Sequence, residues 1–254
     1  MEYALVNRPS PALSNCVLTF IDRAPIDYDL ALRQHHQYCK CLTEMGLVVW
    51  NAEINKEYPD GVFVEDVAIA LDELTVITSM GKADRRGELS AMAELLGTLG
   101  STASINLPAT IEGGDVLRLG RTLYVGVTCR TNRAGIAALA AIVEPFGYTV
   151  VPVAVHGCLH LKTCITALTD DTFIHNPAWF DTSAFSSFTL LPVAEAEPFA
   201  ANVLRVGDKL LLNAAYPRTA EAIARRAHPC WQVDISEFGK AEAGLTCMSL
   251  IFSR

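Results

Sequence analysis

No run in this 254-residue sequence reaches the roughly 18 apolar residues of a membrane-spanning helix. Met1 to Ser10 also lacks the uninterrupted apolar stretch of a secretory signal, so a soluble, cytoplasmic protein is expected. Basic residues are in deficit, 20 Lys and Arg against 28 Asp and Glu, for a formal charge of −8. That balance provides no positive field for a nucleic acid backbone or an anionic membrane, and suits a small cationic ligand better. No Gly/Ser-rich linker, charge block or low-complexity tract divides the chain, and residues 1–254 are read as one domain. Walker, GxGxxG and HExxH motifs are missing, which removes the usual support for nucleotide binding or zinc proteolysis. Cysteine is not scarce, with thiols at positions 16, 39, 41, 129, 158, 164, 230 and 247, but without a secretory signal they are expected to stay reduced. His35, His36, Cys39 and Cys41 cluster, yet a second pair at zinc-finger spacing is absent and an amphipathic helix accounts for them. No metal or cofactor is called for.

The composition, 51% apolar and 19% charged, is that of a folded chain with a sizeable core. Strand-like pieces fall at Ala4–Val6, Val48–Trp50, Val62–Val64, Thr75–Thr78, Leu123–Val127, Thr149–Val153 and Lys209–Leu212. They alternate with helix-like pieces at Tyr28–Met45, Arg86–Leu99, Arg133–Phe146 and Thr219–Ala227, the first ending at Gly46 and the third near Gly147. The class is α/β. Polar residues flanked by apolar strand-like runs recur at Asp66, Glu112, His160, Asn202 and Cys247, at intervals of 46, 48, 42 and 45. Such a period suggests one supersecondary unit used about five times around an axis, each donating a residue to a shared site.

Cys247 stands beside Gly244 at the mouth of a C-terminal strand; by itself it reads more readily as a buried small hydrophobe than as a nucleophile. His160, between two leucines in a strand-like run, offers a general acid and base or a structural imidazole. Gly113 and Gly114 permit a tight bend that turns Glu112 inward. Glu65 and Asp66 end an apolar run read as a strand, and carboxylates from separate segments can grip a planar cation. Arg85 and Arg130 can each fork onto a substrate carboxylate.

Seven segments in order, Pro59-Asp-Gly-Val-Phe-Val-Glu-Asp, Arg85-Arg-Gly-Glu, Thr110-Ile-Glu-Gly-Gly-Asp, Arg130-Thr-Asn, His160-Leu-Lys-Thr, Tyr216-Pro-Arg-Thr and Leu245-Thr-Cys-Met-Ser-Leu, resemble the dimethylarginine dimethylaminohydrolases. The resemblance spans essentially the whole chain. It implies a five-bladed α/β propeller, the pentein fold, with pseudo-fivefold ββαβ repeats, and hydrolysis of methylated arginine to citrulline and an amine. It further implies Cys247 as nucleophile, His160 as general acid and base, and Glu112 and Asp66 as guanidinium carboxylates. Arg85 and Arg130 match the pair that holds the substrate carboxylate, while Asp60, Glu65 and the backbone of Leu18 fall around the amino-acid end. Ala241 matches a position that contributes a carbonyl. The chain departs from close bacterial members where an Asp-Gly-Gly step becomes Glu242-Ala-Gly, and in the loop from Ser14 to Ile26, which resembles the family's lid. The expected partner is a cationic guanidino substrate, with the protein a monomer or homodimer. The same residues also suit an arginine deiminase or an amidinotransferase; a non-catalytic binding propeller is a further alternative, although it has no need of Cys247, His160, Glu112 and Asp66 together. A thiol beside an imidazole can also capture zinc adventitiously.

Overall fold

A computed structural model describes residues 1–226 and 229–253 of the chain. Among these residues fifteen strands form five three-stranded sheets of one topology, in which a short first strand pairs antiparallel with the central strand and a third strand runs parallel to it. In the first blade, β1 (Glu2–Val6) is central. It pairs parallel with β2 (Val48–Asn51) and antiparallel with β15 (Leu250–Ser253), in a register that places Glu2 opposite Ser253 and Leu5 opposite Leu250. The two ends of the chain therefore close the ring. The second blade is β3 (Ala68–Ala70), β4 (Thr75–Ile77) and β5 (Thr102–Ser104), and the third is β6 (Val116–Leu119), β7 (Thr122–Val127) and β8 (Thr149–Ala154). The fourth holds β9 (Ile165–Ala167), β10 (Thr172–His175) and β11 (Thr189–Pro192); the fifth holds β12 (Leu204–Val206), β13 (Lys209–Asn213) and β14 (Cys230–Val233). The expected five-bladed α/β propeller is what the chain forms.

A parallel pairing needs a crossover, and in four blades that crossover contains a helix. These are α1 (Tyr28–Glu44), α2 (Glu88–Gly97), α3 (Arg133–Val143) and, after the one-turn α4 (Leu161–Cys164), α5 (Pro217–Ala224). A further short helix, α6 (Ser236–Gly239), precedes the last strand. Local chemistry sets the helix ends. Asp27 accepts the Leu30 N–H and Asn132 the Gly135 N–H as N-caps, and the chain leaves α1 at Gly46 with φ +101°. Pro217 starts α5 two residues before the expected Thr219; Ala227, the expected end of that helix, lies outside the described residues. In the fourth blade the crossover carries only a 3-10 turn, Thr182–Phe185.

Each crossover packs on the preceding blade as well as its own. Ile136, Leu139 and Val143 of α3 meet Ile69 and Val76 of the second blade, and Ala220 and Ile223 of α5 meet Leu168 and Ile174 of the fourth. Phe185 does the same without a helix, its ring 4.4 Å from that of Tyr124 and 5.5 Å from Phe173. The apolar core is thus divided among blade interfaces. Residues of all five first strands line one space of about 1420 Å³, so these strands surround a common axis.

Two local expectations differ from the structure. Val62–Val64 is buried but forms successive turns rather than a strand, with Gly61, Phe63 and Asp66 N–H groups bonded to the carbonyls of Tyr58, Asp60 and Phe63. His160 is not in a strand; it is the N-cap residue of α4.

Candidate active site

The five periodic residues stand at the entries to the five first strands. Asp66 and Asn202 lie two residues before β3 and β12, Cys247 three before β15, Glu112 four before β6 and His160 five before β9. Because those strands share an axis, their entries converge, and Asp66, Glu112 and His160 bring one side-chain ligand atom each to within 4.8 Å of one another. All three are buried. His160 Nε2 lies 2.8 Å from Glu112 Oε2, and its Nδ1 lies 3.9 Å from Asp66 Oδ1.

Two guanidinium groups back the carboxylates. Arg85 donates to Asp66 Oδ2 at 2.7 Å and forks onto Glu88 with two bonds of 3.0 Å, while Arg130 Nη1 donates to both oxygens of Glu112 at 3.2 and 3.3 Å. Buried ions of this kind persist because each has a partner. Two polar atoms here have none: Asp66 Oδ1 and Arg130 Nε. They are the acceptor and donor left for a bound molecule. With the other oxygens held by arginines and His160, the carboxylates suit a planar cation better than a metal ion needing several free ligands.

Burial opposes ionisation of Glu112 and Asp66, yet His160 and Arg85 hold both below the usual carboxylate range. Burial also disfavours a charged His160, but Asp66, Asp115 and Glu112 outweigh it and raise the imidazole to about 9. His160 therefore carries a proton at neutral pH. Asp115 is itself raised to about 6 by burial, accepts from Leu161 N at 2.9 Å and Thr128 Oγ1 at 2.7 Å, and so fixes the first residue of the helix that His160 caps. Asp115→Asn keeps the shape and removes one of the charges that favour imidazolium. His160 is expected to lose its proton at lower pH in that variant, as a histidine ring NMR titration would record.

Cys247 lies in the 3-10 turn Thr246–Met248, partly buried. Its sulfur accepts the Gly244 N–H at 3.4 Å, and its carbonyl accepts the Glu65 N–H at 3.3 Å. Thr246 donates to Glu65 Oε2 at 2.8 Å and its N–H to Asn202 Oδ1 at 3.1 Å, so the second and fifth blades anchor the turn. Burial pushes the thiol up, and Asp66 and Glu65 add to it.

Cys247 lines a cavity together with Asp60, Asp66, Arg85, Arg130, His160 and Ala241. Glu112 stands behind His160 and Arg130. Glu65 turns away, paired with Lys162. Leu18 packs on the core beside Val17, which does line the cavity and whose N–H is held by Asp60. The roles of Glu88, Asp115, Asn202, Thr246 and Glu242 were not visible at the level of single motifs, although Glu88 and Asp115 lie inside the Arg85-Arg-Gly-Glu and Glu112-Gly-Gly-Asp segments.

Gly114 is required here for space. A Cβ would stand 2.5 Å from His160 Nδ1 and 2.9 Å from Asp66 Oδ1. Gly114→Ala is expected to displace the imidazole and lower kcat/KM about tenfold to a hundredfold in a steady-state assay.

A family model described as N,N dimethylarginine dimethylhydrolase, eukaryotic, matches residues 21–176. The chain is 41% identical to the N(G),N(G)-dimethylarginine dimethylaminohydrolase of Streptomyces coelicolor, over 97% of this chain and 95% of that protein. It is 33% identical to the protein of the same name from Pseudomonas aeruginosa, over 89% of this chain and 90% of that one. A solved structure of the Pseudomonas aeruginosa protein, a cysteine-to-serine mutant complexed with citrulline, superposes with a TM-score of 0.93 at 31% identity, covering 98% of both chains.

Proposed function

Since the chain belongs to the dimethylarginine dimethylaminohydrolase family, we propose that its cavity binds an Nω-methylated arginine and that Cys247, His160 and Glu112 convert it to citrulline and an amine. The protein is a hydrolase; in this reading residues 1–254 act as one enzyme domain. The supporting observation is the buried meeting of His160 with Glu112 and Asp66 beside a cavity that Cys247 also lines.

The guanidinium carbon is resonance-stabilised, so a strong nucleophile is required, and a thiolate is one. Asp66, through its unpaired Oδ1, holds the substrate cation beside the sulfur, and Glu112 adds its charge from behind His160 and Arg130. The incoming charge offsets Asp66 and Glu65, the carboxylates that keep the thiol protonated, so Cys247 releases its proton to solvent as substrate binds. Attack forms the C–S bond and a tetrahedral adduct. His160, already protonated, gives its proton to the departing dimethylamine or methylamine nitrogen, and the C–N bond breaks to leave a thiouronium. Neutral His160 then takes a proton from water, the hydroxide adds to the thiouronium carbon, and the C–S bond breaks with the hydroxyl proton passing to the sulfur, which releases citrulline and restores the thiol. Arg85, Arg130 and Asp60 hold the amino-acid end, with backbone from Leu18 and Ala241.

Incubation with asymmetric dimethylarginine, monomethylarginine and arginine, measuring citrulline and released amine together, tests the assignment. One dimethylamine per citrulline is expected from the first substrate. Ammonia from arginine with no dimethylamine release would overturn it in favour of a deiminase.

A further inference from the structure

Thr19 and Phe20 sit exposed in the loop between Ser14 and Ile26, yet their amides are both taken. Thr19 N donates to Glu242 Oε2 and Phe20 N to Glu242 Oε1, each at 2.7 Å, so one carboxylate straps two consecutive N–H groups from more than 220 residues away. Charge-assisted bonds of that length are the strong kind. Glu242 makes them from a backbone with φ +63°, the left-handed region that residues with a Cβ adopt at a cost. Strain of this sort persists where surrounding contacts determine it, and the two bonds to the loop supply such contacts.

The loop is fastened elsewhere by groups of the cavity itself. Val17 N is held by both Asp60 oxygens, at 3.1 and 3.3 Å, and Thr19 Oγ1 accepts from Arg130 Nη2 at 3.2 Å. Arg23 donates to the carbonyls of Ser14 and Cys16, which stiffens the loop internally. Glu242 stands at the junction: it shares the lining of one cavity with Cys247 and also lines a second space of about 670 Å³ whose wall includes Phe20 and Ile21. Its carboxylate is thus the tie between the loop and the segment that leads into the Cys247 turn.

We propose that Glu242 is a latch, a positioning residue that holds loop 14–26 down over the cavity and so presents Val17, Leu18 and Arg130 to the amino-acid end of the substrate. This rests on the assigned methylarginine reaction for its kinetic consequence, but the latch itself is a property of the unliganded protein. Substrate entry and product exit then require both Glu242 bonds to break, a gating step of the sort lids provide.

Two variants separate the latch from the backbone strain. Glu242→Gln keeps the length but turns one acceptor into a donor facing an N–H, whereas Glu242→Gly relieves the positive φ and removes both bonds. Amide hydrogen exchange on the unliganded protein is expected to speed up at Thr19 and Phe20 by about tenfold or more in both variants, while Gly135, bonded to its own helix cap, is unchanged. KM for methylarginine should rise about tenfold with kcat changed much less. Wild-type exchange at both amides in either variant, or slower exchange in Glu242→Gly, would overturn the latch. Freed amides with an unchanged KM would overturn its positioning role. A wild-type protein that makes no citrulline while both variants still free the two amides would support the latch and reject the assigned reaction.

Discussion

Cys247→Ser is expected to lower citrulline formation by at least about 10⁴-fold while leaving stability within about 0.5 kcal/mol of wild type. One atom changes, and the groups that anchor the turn are not on the side chain: the Cys247 carbonyl still accepts from Glu65 N, and Thr246 still bonds Asn202 and Glu65. Serine is nevertheless unable to replace the thiol chemically. In serine hydrolases a neutral imidazole removes the hydroxyl proton, but here His160 already holds a proton up to about pH 9 and faces Glu112 rather than acting as a free base. An alkoxide would also have to form close to Asp66 and Glu65, whose charges already oppose ionisation at this position. Steady-state assay of the purified variant, paired with thermal unfolding, checks both halves. Citrulline formation within tenfold of wild type would remove Cys247 from the reaction.

What the sequence made legible follows from how local each cause is. The ends of α1 and α3 came through because left-handed glycines act within a turn: Gly46 and Gly147 do what their type favours, while the Asp27 and Asn132 caps at the other ends appear only in the structure. The fivefold order came through because each site residue marks the entry to a first strand, and that entry recurs once per blade. Of the first strands β15 did, as the C-terminal strand after Cys247, whereas β3, β9 and β12 have three residues each, too few to display an alternating pattern. Val62–Val64 misled for a related reason. A buried turn and a buried strand are equally apolar, and only the hydrogen-bond partners tell them apart. Asp66 and Glu65 are adjacent but face opposite ways, one to His160 and Arg85, the other to Lys162, because neighbouring residues at a turn need not share a face. The tie between Glu242 and Thr19 leaves no local trace at all, since neither residue's neighbours reveal a partner at the other end of the chain.

The charge around the thiol leads to a second large effect, on how Cys247 reacts with different alkylating agents. Burial, then Asp66, then Glu65 raise the thiol above its ordinary value, and the Gly244 N–H and Lys162 offset only part of this. A raised acid stays protonated to higher pH, so the thiolate fraction at pH 7 is small and grows tenfold per unit as pH rises. Alkylation by neutral iodoacetamide is therefore expected to be slow at pH 7 and to climb with unit slope beyond pH 9 without levelling off. A cationic haloacetamidine should behave differently, because its amidinium is drawn to Asp66 in the cavity wall and offsets the Asp66 and Glu65 field that holds the proton on sulfur. An opposite charge within a few ångströms shifts an acid by about one to three units, so the cationic reagent should gain about 10- to 10³-fold at pH 7 over its ratio on a free thiol. Asp66→Asn then has opposite consequences for the two reagents. Loss of the carboxylate lowers the thiol and speeds the neutral reagent, while it removes a seat for the cation and slows the charged one. A neutral-reagent profile that levels off near pH 7 in the wild type would mean that the resting thiol is already ionised and that the substrate's charge does no work on it.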